Sequence, residues 1–366
     1  MITGSNIRAD FNGIKFFAFK KEILKEHEKE IEKIYEEIKE KILIINSPTV
    51  NRSPVNKYVK VISDNRANEF YQDMLLRLTD SYPKWKIVLD LSNGCQSKVM
   101  PGLFKKLGLE TIIINNDPQP DKFIARDTET EEVVKDLQEK VKEVDADLGI
   151  AFDGDGDRVV FVDEDGSFIP GDYSGVLIAK YSDTPVVIAP INVSQVIEHI
   201  GKPIVITKVG SPYVVKAIED NDATFGFEAN GGCISREIML SRDAGSATIK
   251  ILNILKDNNK TLKDAIGEFP RFFLSREKID CPVDIYPVIL EGVKKKFKDI
   301  IEDIDGIKIW KDDSSWVLFR PSSNAPEFRV FAEAKNKEDA QKLCDEGIEF
   351  ITSIINKKTQ AEAIRQ

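Results

Sequence analysis

From Trp85 onward, short apolar runs alternate with amphipathic segments, and that rhythm limits what the chain can fold into. Trp85-Lys86-Ile87-Val88-Leu89-Asp90-Leu91, Thr111-Ile112-Ile113-Ile114 and Leu148-Gly149-Ile150-Ala151-Phe152 are short and rich in β-branched residues, the signature of buried strands. A helix ending near Leu107-Gly108 and another over 130–144 separate them. The rhythm repeats with strands at Val186-Val187-Ile188, Ile204-Val205-Ile206 and Thr224-Phe225-Gly226-Phe227. Helices are expected between and after them, at 173–181, 195–200, 213–220 and 243–255. Strands alternating with helices build parallel-stranded, three-layer domains. After Pro270 the pattern changes to strands near 272–279, 307–311, 315–320 and 328–333 with helices at 285–297 and 338–355. The expected fold class is α/β, with successive three-layer α/β domains on mixed, mostly parallel sheets and a C-terminal α+β domain. Ahead of all this, 14–19 reads as a strand and 20–45 as a charged amphipathic helix, followed by a loop and a helix near 69–78.

The stretch richest in chemistry is Asp153-Gly154-Asp155-Gly156-Asp157-Arg158, set between the strand at 148–152 and a second apolar run, Val159-Val160-Phe161-Val162. Three carboxylates at alternate positions, with glycines that let the backbone curl, can converge on one hard cation. An all-oxygen set with no Cys or His nearby favours Mg²⁺ or Ca²⁺ over zinc or copper. Arg158, permanently charged, suits a phosphate beside that cation. Asp-Gly is also ordinary hairpin chemistry. An EF-hand is excluded because its sharp-turn glycine is replaced by Arg158, and strands rather than helices flank the loop. An aspartyl nucleophile of the haloacid-dehalogenase type stays open on this stretch alone.

Composition narrows the classes further. The 366 residues carry a formal charge of −10, which argues against a nucleic-acid binder or a protein of anionic membranes. No apolar run approaches a membrane span, and the start has no signal-peptide pattern. Cys95, Cys233, Cys281 and Cys344 lie far apart without metal or redox spacing, so buried free thiols in a reducing cytoplasm are expected. With only His27 and His199, a Ser-His-Asp triad or a His-rich metal site is disfavoured. Proton transfer then falls to Lys, carboxylates, Tyr or water.

Four separated stretches now fall in one order. Thr3-Gly4-Ser5 with Asn12-Gly13-Ile14-Lys15 resembles the catalytic serine loop of the α-D-phosphohexomutases, and Asp153 to Arg158 resembles their metal loop. Gly226-Phe227-Glu228-Ala229-Asn230-Gly231-Gly232 is similar to their sugar-specificity loop. Arg320-Pro321-Ser322-Ser323-Asn324-Ala325-Pro326-Glu327-Phe328-Arg329 looks like their phosphate-binding loop. The resemblance extends over essentially the whole chain. It implies a first-domain remnant over 1–66 with the serine loop, a second domain over 67–164 with the metal loop, a third over 165–270 with the sugar loop, and a phosphate-binding domain over 271–366.

The resemblance also assigns roles. Ser5 carries a phosphoryl group and joins Asp153, Asp155 and Asp157 around Mg²⁺, while Arg158 neutralises charge. Lys15 polarises the phosphoryl or shuttles a proton; a solvated strand lysine is the alternative. Glu228 and Asn230 meet sugar hydroxyls, and Lys208 matches a position near the sugar. Arg320, Ser322, Ser323, Asn324 and Arg329 cradle the unreacting phosphate. The implied reaction interconverts hexose 1- and 6-phosphates of the mannose, glucose or glucosamine type through a phosphoserine and a hexose 1,6-bisphosphate. The implied partner is a small phosphosugar, with a homo-oligomer or a second chain also compatible.

Departures from the pattern exist. Family members usually begin well before the serine. Asn6-Ile7-Arg8 replaces the usual His-Asn-Pro after it, Asn324-Ala325-Pro326 replaces a common Thr-Glu-Pro, and Gly232 stands where a histidine is frequent. A non-catalytic or partner-dependent phosphosugar binder is therefore the alternative expectation.

Overall fold

The computed structural model describes residues 1–4, 12–45, 66–297, 301–322 and 325–363. Two small antiparallel pairs open the chain, β1 (Ile2–Thr3) with β2 (Gly13–Ile14) and β3 (Phe17–Ala18) with β4 (Lys21–Glu22). The single strand expected over 14–19 is thus divided. Lys15 leaves the ladder toward acidic partners, and Phe19 and Lys20 turn the chain with φ of 53° and 67°. Helix α1 (Lys25–Ile45) begins later than its periodicity suggests because Lys21 and Glu22 are committed to β4. Glu26 and Glu28 in its first turn suit the positive end of the helix dipole. Helix α2 (Arg66–Leu76) follows.

The next sheet uses β5 (Lys86–Asp90), β6 (Glu110–Ile114), β7 (Leu148–Phe152), β8 (Val159–Val162) and β9 (Phe168–Ile169), with α3 (Met100–Lys106) and α4 (Lys135–Val144) as crossovers. Its order is β6-β5-β7-β8-β9. β5 pairs in parallel with β6 and β7, whereas the short loop from β7 to β8 forces an antiparallel pair. Alternation along the strands sends side chains to two cores. Ile87, Leu89, Ile150 and Phe161 enter one, and Val88, Ala151, Val160 and Val162 pack on Leu137 and Val141 of α4 in the other. Both faces are covered, as near-continuous apolar strands require.

A third group of elements comprises α5 (Gly171–Tyr181), β10 (Val187–Pro190), β11 (Ile204–Thr207), α6 (Ser211–Asp220), β12 (Phe225–Phe227), β13 (Cys233–Ser235), α7 (Ala244–Asn258) and α8 (Leu262–Ile266). The sheet order is β11-β10-β12-β13, parallel except for β13. β13 escapes sequence reading because three residues after a Gly-Gly pair carry no period. Residues 195–200 form a 3-10 helix. Leu89, Phe161, Val187 and Phe225 share one apolar core, so the second and third sheets are packed together.

The C-terminal part holds β14 (Phe273–Asp280), α9 (Tyr286–Lys296), β15 (Ile301–Glu302), β16 (Ile307–Asp312), β17 (Ser315–Pro321), β18 (Glu327–Ala334) and α10 (Lys337–Ala363). Its antiparallel sheet, β14-β18-β17-β16-β15, packs α9 and α10 on Phe319, Phe328 and Val330. The opposite face sets Trp316, Leu318 and Phe331 against Ile191, just past β10. The α/β class with a C-terminal α+β part is therefore as the sequence implies. Among the described residues, no helix is long and apolar enough to cross a membrane.

Candidate active site

The loop between β7 and β8 is held as a tight acidic cup. The Arg158 amide donates to Asp153 Oδ1 at 3.1 Å, and the Gly156 amide to the Asp153 carbonyl at 3.2 Å. Gly156 sits at φ 70°, a left-handed turn that glycine adopts without steric cost. One oxygen from each of Asp153, Asp155 and Asp157 lies within 4.8 Å of the others. Neighbouring segments fix the cup from outside. Gln96 Nε2 donates to the Gly156 carbonyl at 3.0 Å and Cys95 Sγ to that of Asp155 at 2.8 Å. Cys95 is the exposed exception to the expectation of buried thiols; Cys233, Cys281 and Cys344 are buried, and all four are free.

The amino-terminal pairs reach the cup. Thr3 Oγ1 donates to Asp155 Oδ2 at 3.1 Å, and Lys15 Nζ lies 2.9 Å from Asp155 Oδ2 and 2.8 Å from Asp157 Oδ2. Lys15 is thus no solvated strand lysine. Burial pushes its pKa down, but Asp157 and Asp155 more than offset this and raise it. Arg158 Nε stands 3.8 Å from Asp153 Oδ2 and 3.7 Å from Asp157 Oδ1. Ser5 lies outside the described residues.

The Glu228 loop touches the same cup. The Val159 amide donates to the Gly231 carbonyl at 3.3 Å, and Thr128 Oγ1 to the Asn230 carbonyl at 2.6 Å. Asn230 Oδ1 accepts from the Gly232 amide at 3.0 Å, which shapes the loop. Glu228 is buried, and its partner is a residue that sequence reading passed over. Arg242 places Nη1 3.2 Å from Glu228 Oε2 and Nη2 2.8 Å from Asp157 Oδ2. The available signal was weak: one arginine before an N-capping aspartate, in Ser241-Arg242-Asp243.

A second group gathers around β17. Arg320, expected in the phosphate cradle, gives Nε to Asp305 Oδ2 at 2.7 Å, and the same oxygen accepts from the Val209 amide at 3.0 Å. Asp305 thereby ties Arg320 to the loop holding Lys208, whose Nζ stands 5.7 Å over the Tyr213 ring. Arg329, the cross-strand partner of Arg320, gives Nε to Glu327 at 2.9 Å. The Ser322 amide donates to the Glu327 carbonyl at 2.9 Å. Ser323 and Asn324 lie outside the described residues.

The donor set of the cup fits a hard divalent cation. Asp153 Oδ2 and Asp157 Oδ1 are buried without a hydrogen-bond partner, an arrangement that costs free energy unless a cation is shared. Burial, with Asp157 and Asp155 beside it, pushes the Asp153 carboxyl up. Asp157 is held down: burial opposes this, but Arg242, Lys15 and Arg158 outweigh it. Glu228 is pushed up by burial, with Arg242 pulling the other way. A phosphate near Arg158 and an oxygen-bound cation in the cup are the species this geometry can hold together.

Fold and site together describe a phosphoryl-transfer protein on α/β domains, and comparison with known proteins makes the class specific. The sequence profile described as phosphoglucomutase/phosphomannomutase, alpha/beta/alpha domain II matches residues 68–166. The profile for alpha/beta/alpha domain III matches 170–272. A probable phosphoglucosamine mutase of Methanopyrus kandleri is 31% identical over 369 residues, covering 96% of this chain and 78% of its own. A phosphoglucomutase/phosphomannomutase of Thermococcus kodakarensis is 32% identical over 367 residues, with 96% and 78% covered. A phosphoglucomutase/phosphomannomutase family structure from Burkholderia thailandensis superposes with a TM-score of 0.77 at 21% identity, covering 96% of this chain and 75% of that one. The N-acetylphosphoglucosamine mutase of Aspergillus fumigatus, solved with GlcNAc-6P and magnesium, gives 0.66 at 15% identity, with 97% and 88% covered. The chain belongs to the phosphoglucomutase/phosphomannomutase family. It is an intramolecular phosphotransferase of the isomerase class.

Proposed function

We propose that the chain shifts a phosphoryl group between the 1- and 6-oxygens of a hexose or hexosamine phosphate, through a phosphoserine at Ser5 and a hexose 1,6-bisphosphate. The observation that carries this is the contact of Thr3 and Lys15 with Asp155 and Asp157. These two residues bracket Ser5 in sequence. The names of the relatives, phosphoglucosamine mutase most often among them, support a glucosamine or glucose phosphate as substrate. The free cysteines suit a reducing cytoplasm.

Asp153, Asp155 and Asp157 would hold Mg²⁺, which when bound supplies positive charge to the transferring phosphoryl. The remaining work belongs to the chain. Glu228 accepts from sugar hydroxyls and sets the ring orientation, while Arg320 and Ser322 with the Lys208 loop hold the phosphate that is not reacting. The attacking sugar oxygen forms the new P–O bond as the Ser5 Oγ–P bond breaks, and the proton of the sugar hydroxyl leaves to solvent, while the Lys15 ammonium neutralises charge on the transferring phosphoryl. The bisphosphate then turns over, and its other phosphoryl returns to Ser5 Oγ. Positioning and charge neutralisation account for most of such a transfer.

The test is turnover of glucosamine, glucose and mannose 1-phosphates by purified protein with Mg²⁺ and a trace of hexose 1,6-bisphosphate. At least one should be interconverted with its 6-phosphate, and Ser5→Ala should lower the rate by about a thousandfold or more. Tight phosphosugar binding without turnover on all three would select the binding-only alternative instead.

A further inference from the structure

We propose that Arg242 is a positioning residue that couples sugar recognition to the metal loop, by gripping Glu228 and Asp157 with one guanidinium. The inference rests on the function proposed above, in which Glu228 meets sugar hydroxyls and Asp157 faces the cation.

The backbone of Arg242 is fixed on three sides. It bridges to Ile234 of β13, the following Asp243 amide donates to the Cys233 carbonyl at 2.9 Å, and the Asp243 side chain caps α7 by accepting from the Ser246 amide at 2.9 Å. From that anchor the side chain runs past Gly232. A Cβ added at Gly232 would lie 2.4 Å from Arg242 Cδ, so only glycine leaves the passage open. At its end the planar fork serves two carboxylates from different loops, Glu228 at 3.2 Å and Asp157 at 2.8 Å, with the whole side chain 10% exposed. A fork with separate N–H donors can do this, whereas an ammonium reaches both only as a point charge. Glu22 of β4 adds negative potential on the same guanidinium.

Two opposite consequences follow. Without the guanidinium, Glu228 loses its ion pair with Arg242 and its orientation, so phosphosugar binding weakens. Asp157 meanwhile loses a cation that competes for its oxygens, so Mg²⁺ binding tightens. A role in folding alone would move both affinities the same way.

Calorimetric titration of the full chain with MgCl₂, and separately with glucosamine 6-phosphate and glucose 6-phosphate, reads both arms. In Arg242→Gln the sugar phosphate Kd should rise about tenfold or more, while the Mg²⁺ Kd falls several-fold. Arg242→Lys should keep wild-type Mg²⁺ affinity and recover part of the sugar phosphate affinity. Gly232→Ala, which retains the charge but displaces Cδ, should weaken sugar phosphate binding much as Arg242→Gln does; it also serves if Arg242→Gln does not fold. Equal shifts of both affinities in one direction, or an unchanged sugar phosphate Kd in Arg242→Gln and Gly232→Ala, would overturn the proposal. Wild-type protein that binds neither sugar phosphate would overturn the function reading, and the Mg²⁺ arm would still show whether Arg242 competes at Asp157.

Discussion

At the residue scale, the site carries an imbalance that binding must relieve. Asp153, Asp155, Asp157 and Glu228 face Lys15, Arg158 and Arg242, and Asp153 is fully buried with no hydrogen bond at Oδ2. Like charges that close repel, and a buried one lacks solvent to screen it. Asp153→Asn should therefore raise the melting temperature in chelator by about one to two degrees, since about 1 kcal/mol moves Tm by roughly 2–4 °C at 150–250 residues and by less in a longer chain. The same change should abolish the stabilisation that added Mg²⁺ gives the wild type, which grows with the logarithm of cation concentration. Thermal melts with and without Mg²⁺ check both; a variant that melts lower in chelator and still responds to Mg²⁺ refutes the account. The three aspartates and Lys15 were legible from spacing and resemblance. Arg242 was not, because its meaning lies in two carboxylates distant in sequence, and nothing local distinguishes it from a surface arginine.

At the element scale, strands β5 and β7 deliver their loops to one edge of the sheet, and a buried network locks the two together. Arg126 Nη2 pairs with Asp90 Oδ2 at 2.6 Å, both almost wholly buried, and Arg126 Nε donates to Ser92 Oγ at 2.7 Å. Ser92 Oγ donates to the Phe152 carbonyl at 2.6 Å, one residue before the acidic cup. Arg126→Met would leave Asp90 buried without its counter-charge and should cost about 3–5 kcal/mol. Replacing Asp90 by Leu as well should recover part of that loss. Urea midpoints measure both, and a loss under about 1 kcal/mol for the single variant would show that the pair is not structurally needed. Strands such as β7 and β8 were readable because continuous apolar character marks burial on both faces. The run 14–19 was misread as one strand because its aromatic content hides two breaks: one after Ile14, where Lys15 departs toward the acidic loop, and the turn at Phe19-Lys20.

At the scale of the molecule, the second, third and C-terminal sheets meet at a buried polar node. Asp172, at the start of α5, accepts from the Ser194 amide at 2.9 Å, and Glu333 of β18 accepts from the Gln195 amide and the Trp316 indole, each at 2.9 Å. Arg276 of β14 donates to the Glu129 carbonyl at 2.7 Å and pairs with its carboxylate at 3.3 Å. Burial pushes the Asp172 carboxyl to about 7; Arg276 and the Ser194 amide oppose this, and Glu333 and Glu129 add to it. A raised acid stabilises the fold through its proton, so the contribution is complete below the usual carboxylate range and is lost as pH climbs through about 7. The stability of the wild type relative to Asp172→Asn should thus fall from pH 5 to pH 8, by at most about 1.4 kcal/mol per unit. Urea midpoints at four pH values test this, and a gap independent of pH would exclude it.

The order of strands and helices, the covered sheets, the acidic loop and the family resemblance are written in local pattern, since periodicity records which side of an element is buried. Counter-charges are not local. Lys15 meets Asp157 across 142 positions, and Arg320 of the expected phosphate loop meets Asp305. Only the tertiary structure decides those pairings, because a charge finds its partner through space once the sheets have packed, and no period along the chain encodes that distance.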